Sequence, residues 1–74
     1  QARADERALR KEIGATERKL ERAQRQIAGI HERMAAHDHG DYAGLSKLTD
    51  DLRAAEADVE DLENRWLELS ASLE

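Results

Sequence analysis

Apolar residues recur along this chain at alternating steps of three and four. In the first half the series is Leu9, Ile13, Leu20, Ala23, Ile27, Ile30 and Met34, with Thr16 filling its one gap. In the second half it is Leu45, Leu48, Leu52, Ala55, Val59, Leu62, Trp66, Leu69 and Leu73. Both are unbroken 3.5-residue repeats, which mark a narrow coiled-coil seam rather than the broader apolar face of a globular bundle. Between them lies His37-Asp38-His39-Gly40-Asp41. Gly40 can take the left-handed conformation that ends a helix. Asp41, with Asp38 as a second candidate, can cap the helix that follows. The pattern predicts helix one over about 3–38, a turn at about 39–41 and helix two over about 41–73. At 1.5 Å per residue each helix is on the order of 50 Å long. A connection this short folds the second helix back on the first. The expected fold is therefore all-α, an antiparallel two-helix coiled-coil hairpin forming a single domain over residues 1–74.

Two registers compete for the seam. One pairs residues whose numbers add to 82: Leu9–Leu73, Ile13–Leu69, Thr16–Trp66, Leu20–Leu62, Ala23–Val59, Ile27–Ala55, Ile30–Leu52 and Met34–Leu48. It sets large against small at Thr16–Trp66 and Ile27–Ala55, which packs well. The other, adding to 75, offers flanking charge pairs such as Lys19–Asp58, Glu12–Arg65 and Arg10–Glu63 but strands Leu69 and Leu73 opposite Glu6 and Ala2. A surface ion pair contributes about 0–1 kcal/mol, whereas burying a leucine contributes about 1.5–3 kcal/mol. Leucine burial favours the first register.

Composition agrees with the pattern. With Phe and Cys absent, a core of ordinary globular shape has neither bulk nor disulfide staples, and the lack of Pro leaves long helices unbroken. The absence of Cys also fits a reducing compartment. No apolar run approaches the roughly 20 residues that span a bilayer, so no membrane partner is expected. The chain opens at Gln1 without an initiator Met or a signal segment, which suggests a piece of a longer protein.

Charge divides unevenly. Residues 1–36 carry nine Arg or Lys against six Asp or Glu, a balance of +3, while residues 41–74 carry three against ten, a balance of −7. The plain interpretation is that oppositely charged helices attract and stay in solution. The sharper one concerns Arg7, Lys11, Arg18, Arg22 and Arg25, which fall on b, c and f heptad positions and form a cationic stripe directed away from helix two. Such a stripe can neutralise the backbone phosphates of DNA or RNA. No aromatic residue interleaves with it, so contact by shape and charge is expected, without base readout.

Other chemistry is poorly supported. His37, Asp38, His39 and Asp41, with His31 nearby, could be drawn as a metal site, but His-x-His alone rarely gathers three ligands; a solvated turn with a helix stop and cap is expected instead. No metal and no catalytic residue is expected, because a two-helix hairpin has no cleft to perturb carboxylates such as Asp50 and Asp51. Trp66 fits the seam over Thr16, or serves as a partly exposed anchor for a partner. Tyr42 is expected to pack at the turn, with a contact at the hairpin tip as the alternative.

Two stretches resemble a known family. Asp41-Tyr42-Ala43-Gly44-Leu45-Ser46-Lys47-Leu48 and Leu62-Glu63-Asn64-Arg65-Trp66-Leu67-Glu68-Leu69 look like the C-terminal domain of Uup-type ABC-F ATPases. Arg10-Lys11-Glu12-Ile13 and Glu17-Arg18-Lys19-Leu20 resemble the opening of that domain's first helix. The resemblance implies a cytoplasmic parent protein with two ATP-binding domains that acts on ribosomes in translation. It further implies a coiled-coil tail associated with DNA binding. ATP would belong to the parent, so no cofactor is expected in this segment. The expected partners are nucleic acid (DNA or ribosomal RNA) or the ribosome, and the hairpin is expected to be monomeric. Where the family often has a Pro-containing turn, this chain has His37-Asp38-His39-Gly40.

Overall fold

The computed structural model describes residues 2–73. Helix α1 runs Ala2–Ala36 and helix α2 runs Tyr42–Leu73. They pack against each other as one rod of 60 × 14 × 13 Å. The repeat that predicted the seam also built it. Thr16, Ala23, Ile30, Ala55 and Leu69 are buried, and the other seam residues from Leu9 to Leu73 are half-buried. Ile30, at 1% exposure, is the most enclosed large side chain. Thr16 is tolerated in the seam because its hydroxyl donates to the Glu12 carbonyl at 2.8 Å. That bond satisfies a polar group that would otherwise be costly to bury.

The register follows from which residues share surface hollows. Ala23 lines one with Asp58 and Leu62, and Ile30 lines another with Asp51, Ala54 and Ala55. Leu20 shares a third with Glu63 and Trp66. These neighbours match pairs whose numbers add to 82; a sum of 75 would set Ile30 beside Leu45. Yet Arg65 also donates to Glu12 at 2.7 Å, one of the charge pairs expected of the rejected register. The two residues stand about 7.5 Å out of step along the axis. Two long, exposed side chains lean along the rod to close that gap, so the aliphatic seam keeps its register and this ion pair forms as well.

The turn departs from expectation in three ways. Helix α1 stops at Ala36, not Asp38, and its last backbone bonds tighten, with His37 N donating to the Met34 carbonyl at 3.3 Å. Gly40 is not left-handed: among the described residues no positive φ occurs. Instead Asp38 builds a four-residue turn. Its carbonyl accepts from Asp41 N at 3.0 Å, and its Oδ1 accepts from Gly40 N at 2.9 Å. A type I turn of this kind needs no left-handed residue, and Asp is favoured at its first position. Finally, Tyr42 does not pack at the turn; it is 80% exposed.

Asp41 is the cap of α2. Its Oδ1 accepts from Gly44 N at 3.1 Å, and its carbonyl accepts from Leu45 N at 3.0 Å. Its other oxygen, Oδ2, lies 2.8 Å from His37 Nε2, which fastens the end of α1 to the start of α2. This clasp lies over the α-carbon of Gly44, where a β-carbon would collide with both the His37 ring and the Asp41 carboxylate. Here glycine gives the clasp its room by close approach, not by backbone angle. At Gly14 a β-carbon would meet only the flexible tip of Arg18, at 3.4 Å.

The two glycines should therefore respond oppositely to alanine. Gly14→Ala should gain about 0.5–1 kcal/mol of helix propensity, raising Tm by roughly 3–8 °C. Gly44→Ala should lower Tm despite the same propensity gain, because it forces the clasp open; thermal melts by circular dichroism distinguish the two. Acid should act on the same device. The Gly44 N–H, then the His37 hydrogen bond and charge, hold the Asp41 carboxyl below its ordinary 3.8. A depressed carboxylate pKa gives stability that is present above the unfolded value and lost as pH falls through the folded one. The Tm advantage of wild type over Asp41→Asn should shrink as pH drops through and below 3.8.

Candidate nucleic-acid interface

The five cations of the predicted stripe, Arg7, Lys11, Arg18, Arg22 and Arg25, are all exposed on α1. Lys11, Arg18 and Arg25 occupy successive f positions and so lie in one line on the back of the hairpin. One heptad separates them by about 10.5 Å, roughly three 3.4 Å nucleotide rises along one DNA strand. The Arg18 guanidinium lies over Gly14.

Arg7 and Arg22 sit differently. Arg7 shares a shallow hollow with Arg3, Glu6 and Arg10 near the start of α1. There Arg10 is engaged by Glu6 at 2.9 Å. Arg3 and Arg10 add positive charge that the b, c and f assignment omitted, because they fall on e positions. Arg22 does not face away from α2. It lines a hollow with Lys19, Asp58 and Asp61, because a c position lies beside the g edge where the helices meet. Its charge is thus partly offset by carboxylates of α2.

Heptad lettering explains the distribution. In an antiparallel pair, g faces g and e faces e. The g edge is mixed in charge: Glu12 with Arg65, Lys19 and Arg22 near Asp58 and Asp61, and Arg33 near Asp51. The e edge carries Glu17, Glu56 and Glu63, all exposed. Here Trp66 is a half-buried seam residue whose indole N–H donates to Glu17 Oε2 at 3.1 Å. Beside it Leu67 is 58% exposed, a residue the seam pattern passed over. The signal was its identity: a leucine on a b position, where the seam has no use for it. Tyr42, the other aromatic, projects into solvent at the tip.

The turn cluster is committed to structure. His37 and Asp41 hold each other, and Asp38 holds the Gly40 N–H. Among the described residues, no three of His, Cys, Asp and Glu converge as a metal set, and no helix is long and apolar enough to cross a membrane. The surface hollows along the rod are shallow and open.

This geometry defines a helical-hairpin accessory domain. Residues 5–71 match the family model described as ABC transporter C-terminal domain, and the chain belongs to that family. The assignment agrees with the resemblance of its Tyr42 and Trp66 segments to the tail of ABC-F ATPases. The domain is an accessory region of an ABC protein, not its catalytic part. Comparison with curated proteins finds no match, and comparison with solved structures finds none either.

Proposed function

We propose that this domain is the nucleic-acid-contacting tail of a cytoplasmic ABC-F ATP-binding protein, laying the back of α1 along the phosphates of DNA or ribosomal RNA. The observation that carries this proposal is the line of Lys11, Arg18 and Arg25, exposed and one heptad apart. Arg7 extends the line toward the start of α1, and Arg22 flanks it. Contact of this kind neutralises phosphates and releases counterions without reading sequence. The acidic α2 lies on the other side of the seam, so a nucleic acid on the back of α1 meets the cationic helix first. ATP binding, and any action on ribosomes in translation, would belong to the rest of the parent protein.

A second reading, favoured by the exposure of Tyr42, makes the hairpin a structural arm that positions the ATPase on the ribosome or on a protein partner. In that case Tyr42→Ala should weaken retention on the partner, and nucleic acid should not bind.

Binding to duplex DNA and to ribosomal RNA should be titrated by fluorescence anisotropy between 50 and 200 mM salt. Three phosphate contacts on duplex DNA predict roughly 40-fold weaker binding across that range. The triple variant Lys11→Glu, Arg18→Glu and Arg25→Glu should lose binding at low salt while keeping its helical circular dichroism. Undiminished binding by the triple variant would discard the stripe.

A further inference from the structure

The e edge of the hairpin carries a feature that the nucleic-acid proposal leaves unused. A hollow of about 470 Å³ opens there, lined by Leu20, Glu63, Asn64, Trp66 and Leu67. Its floor is apolar. Leu20 is a seam residue, Leu67 stands more than half exposed, and the one polar atom of the Trp66 ring is already taken by Glu17. Its surroundings are acidic. Glu17 and Glu21 come from α1, and Glu56, Glu60 and Glu63 come from α2, all exposed. On α2 the basic residue of this edge, Arg53, lies two heptads nearer the turn than Leu67, and on α1 Arg10 lies one heptad before Glu17 with its guanidinium held by Glu6 at 2.9 Å.

An apolar hollow ringed by carboxylates fits a segment that presents an aliphatic side chain between cations. We infer that this hollow docks a cationic amphipathic helix of a protein partner, with a Leu or Ile seated against Trp66 and Leu67 and with Lys or Arg side chains meeting Glu17 and Glu63. A second copy of the chain is the weaker occupant. Its cationic face is the back of α1, and among the described residues the exposed large hydrophobic side chains are Tyr42 and Leu67, both outside that face. A second copy could bring charge to the hollow from α1 but no aliphatic anchor.

Trp66 is the only tryptophan of the chain and reports on its own surroundings. The probe is a synthetic alanine-based helix carrying two leucines at i and i+4 flanked by arginines. Adding it should shift Trp66 emission saturably. Replacing the peptide's leucines by alanine, or its arginines by glutamate, should each weaken the response at least tenfold. Leu67→Glu should do the same although it adds negative charge, and circular dichroism should show the hairpin intact. The Lys11, Arg18 and Arg25 reversal should leave the peptide response in place, so failure of the stripe and failure of the hollow can be told apart. Three results would overturn the inference: no saturable shift, an equal shift from the alanine peptide, or an emission that follows the chain's own concentration, which would assign the hollow to a second copy.

Discussion

Interdigitation of aliphatic side chains along one seam is the constraint on which everything else in this molecule depends. Neither half of the chain can bury its apolar stripe alone, and the molecule has no second layer to offer. Its stability rests on Leu, Ile, Ala, Val and Met side chains meeting across a rod 14 Å wide. Charge modulates that arrangement without setting it. The Glu12–Arg65 pair is more than half exposed at both ends, in the range where ion pairs contribute about 0–1 kcal/mol. It forms by stretching along the rod, while the leucines hold their places.

Because the seam consumes nearly all the large apolar residues, the remaining positions are free for function. They sort by geometry into four surfaces: a cationic back on α1, an acidic back on α2, a charge-mixed g edge and an e edge that is acidic around an apolar hollow and basic toward the start of α1. The hollows along them are shallow and open. At the turn, a histidine–aspartate clasp closed over a glycine marks where α2 begins.

Much of this was legible in the sequence. The two heptad series located both helices to within two residues, identified the buried stripe and favoured the correct register. Asp41 was readable as a cap because its side chain precedes the first apolar step of α2. The turn's detail was not legible. Gly40 looked like a left-handed helix stop, but Asp38 supplies its side chain and carbonyl to a turn in which glycine is convenient, not required. Gly44 gave no sign of its role, because that role depends on His37 reaching across the turn. Arg22 looked outward because a heptad letter gives direction from the seam without the reach of a partner's long side chains. The hollow beside Trp66 was invisible for a related reason: it exists only where Leu20 of α1 and Leu67 of α2 come side by side.

The central claim is that one chain folds back on itself, and it is tested most directly by a distance. Spin labels at two exposed alanines, Ala8 on α1 and Ala71 on α2, leave the seam untouched. With labelled protein diluted into unlabelled protein, pulsed electron resonance should give a single narrow distance of roughly 20–30 Å, two packed helices plus their labels. A continuous rod would place the labels about 95 Å apart. That long distance, or a short one that disappears on dilution, would contradict the intramolecular hairpin.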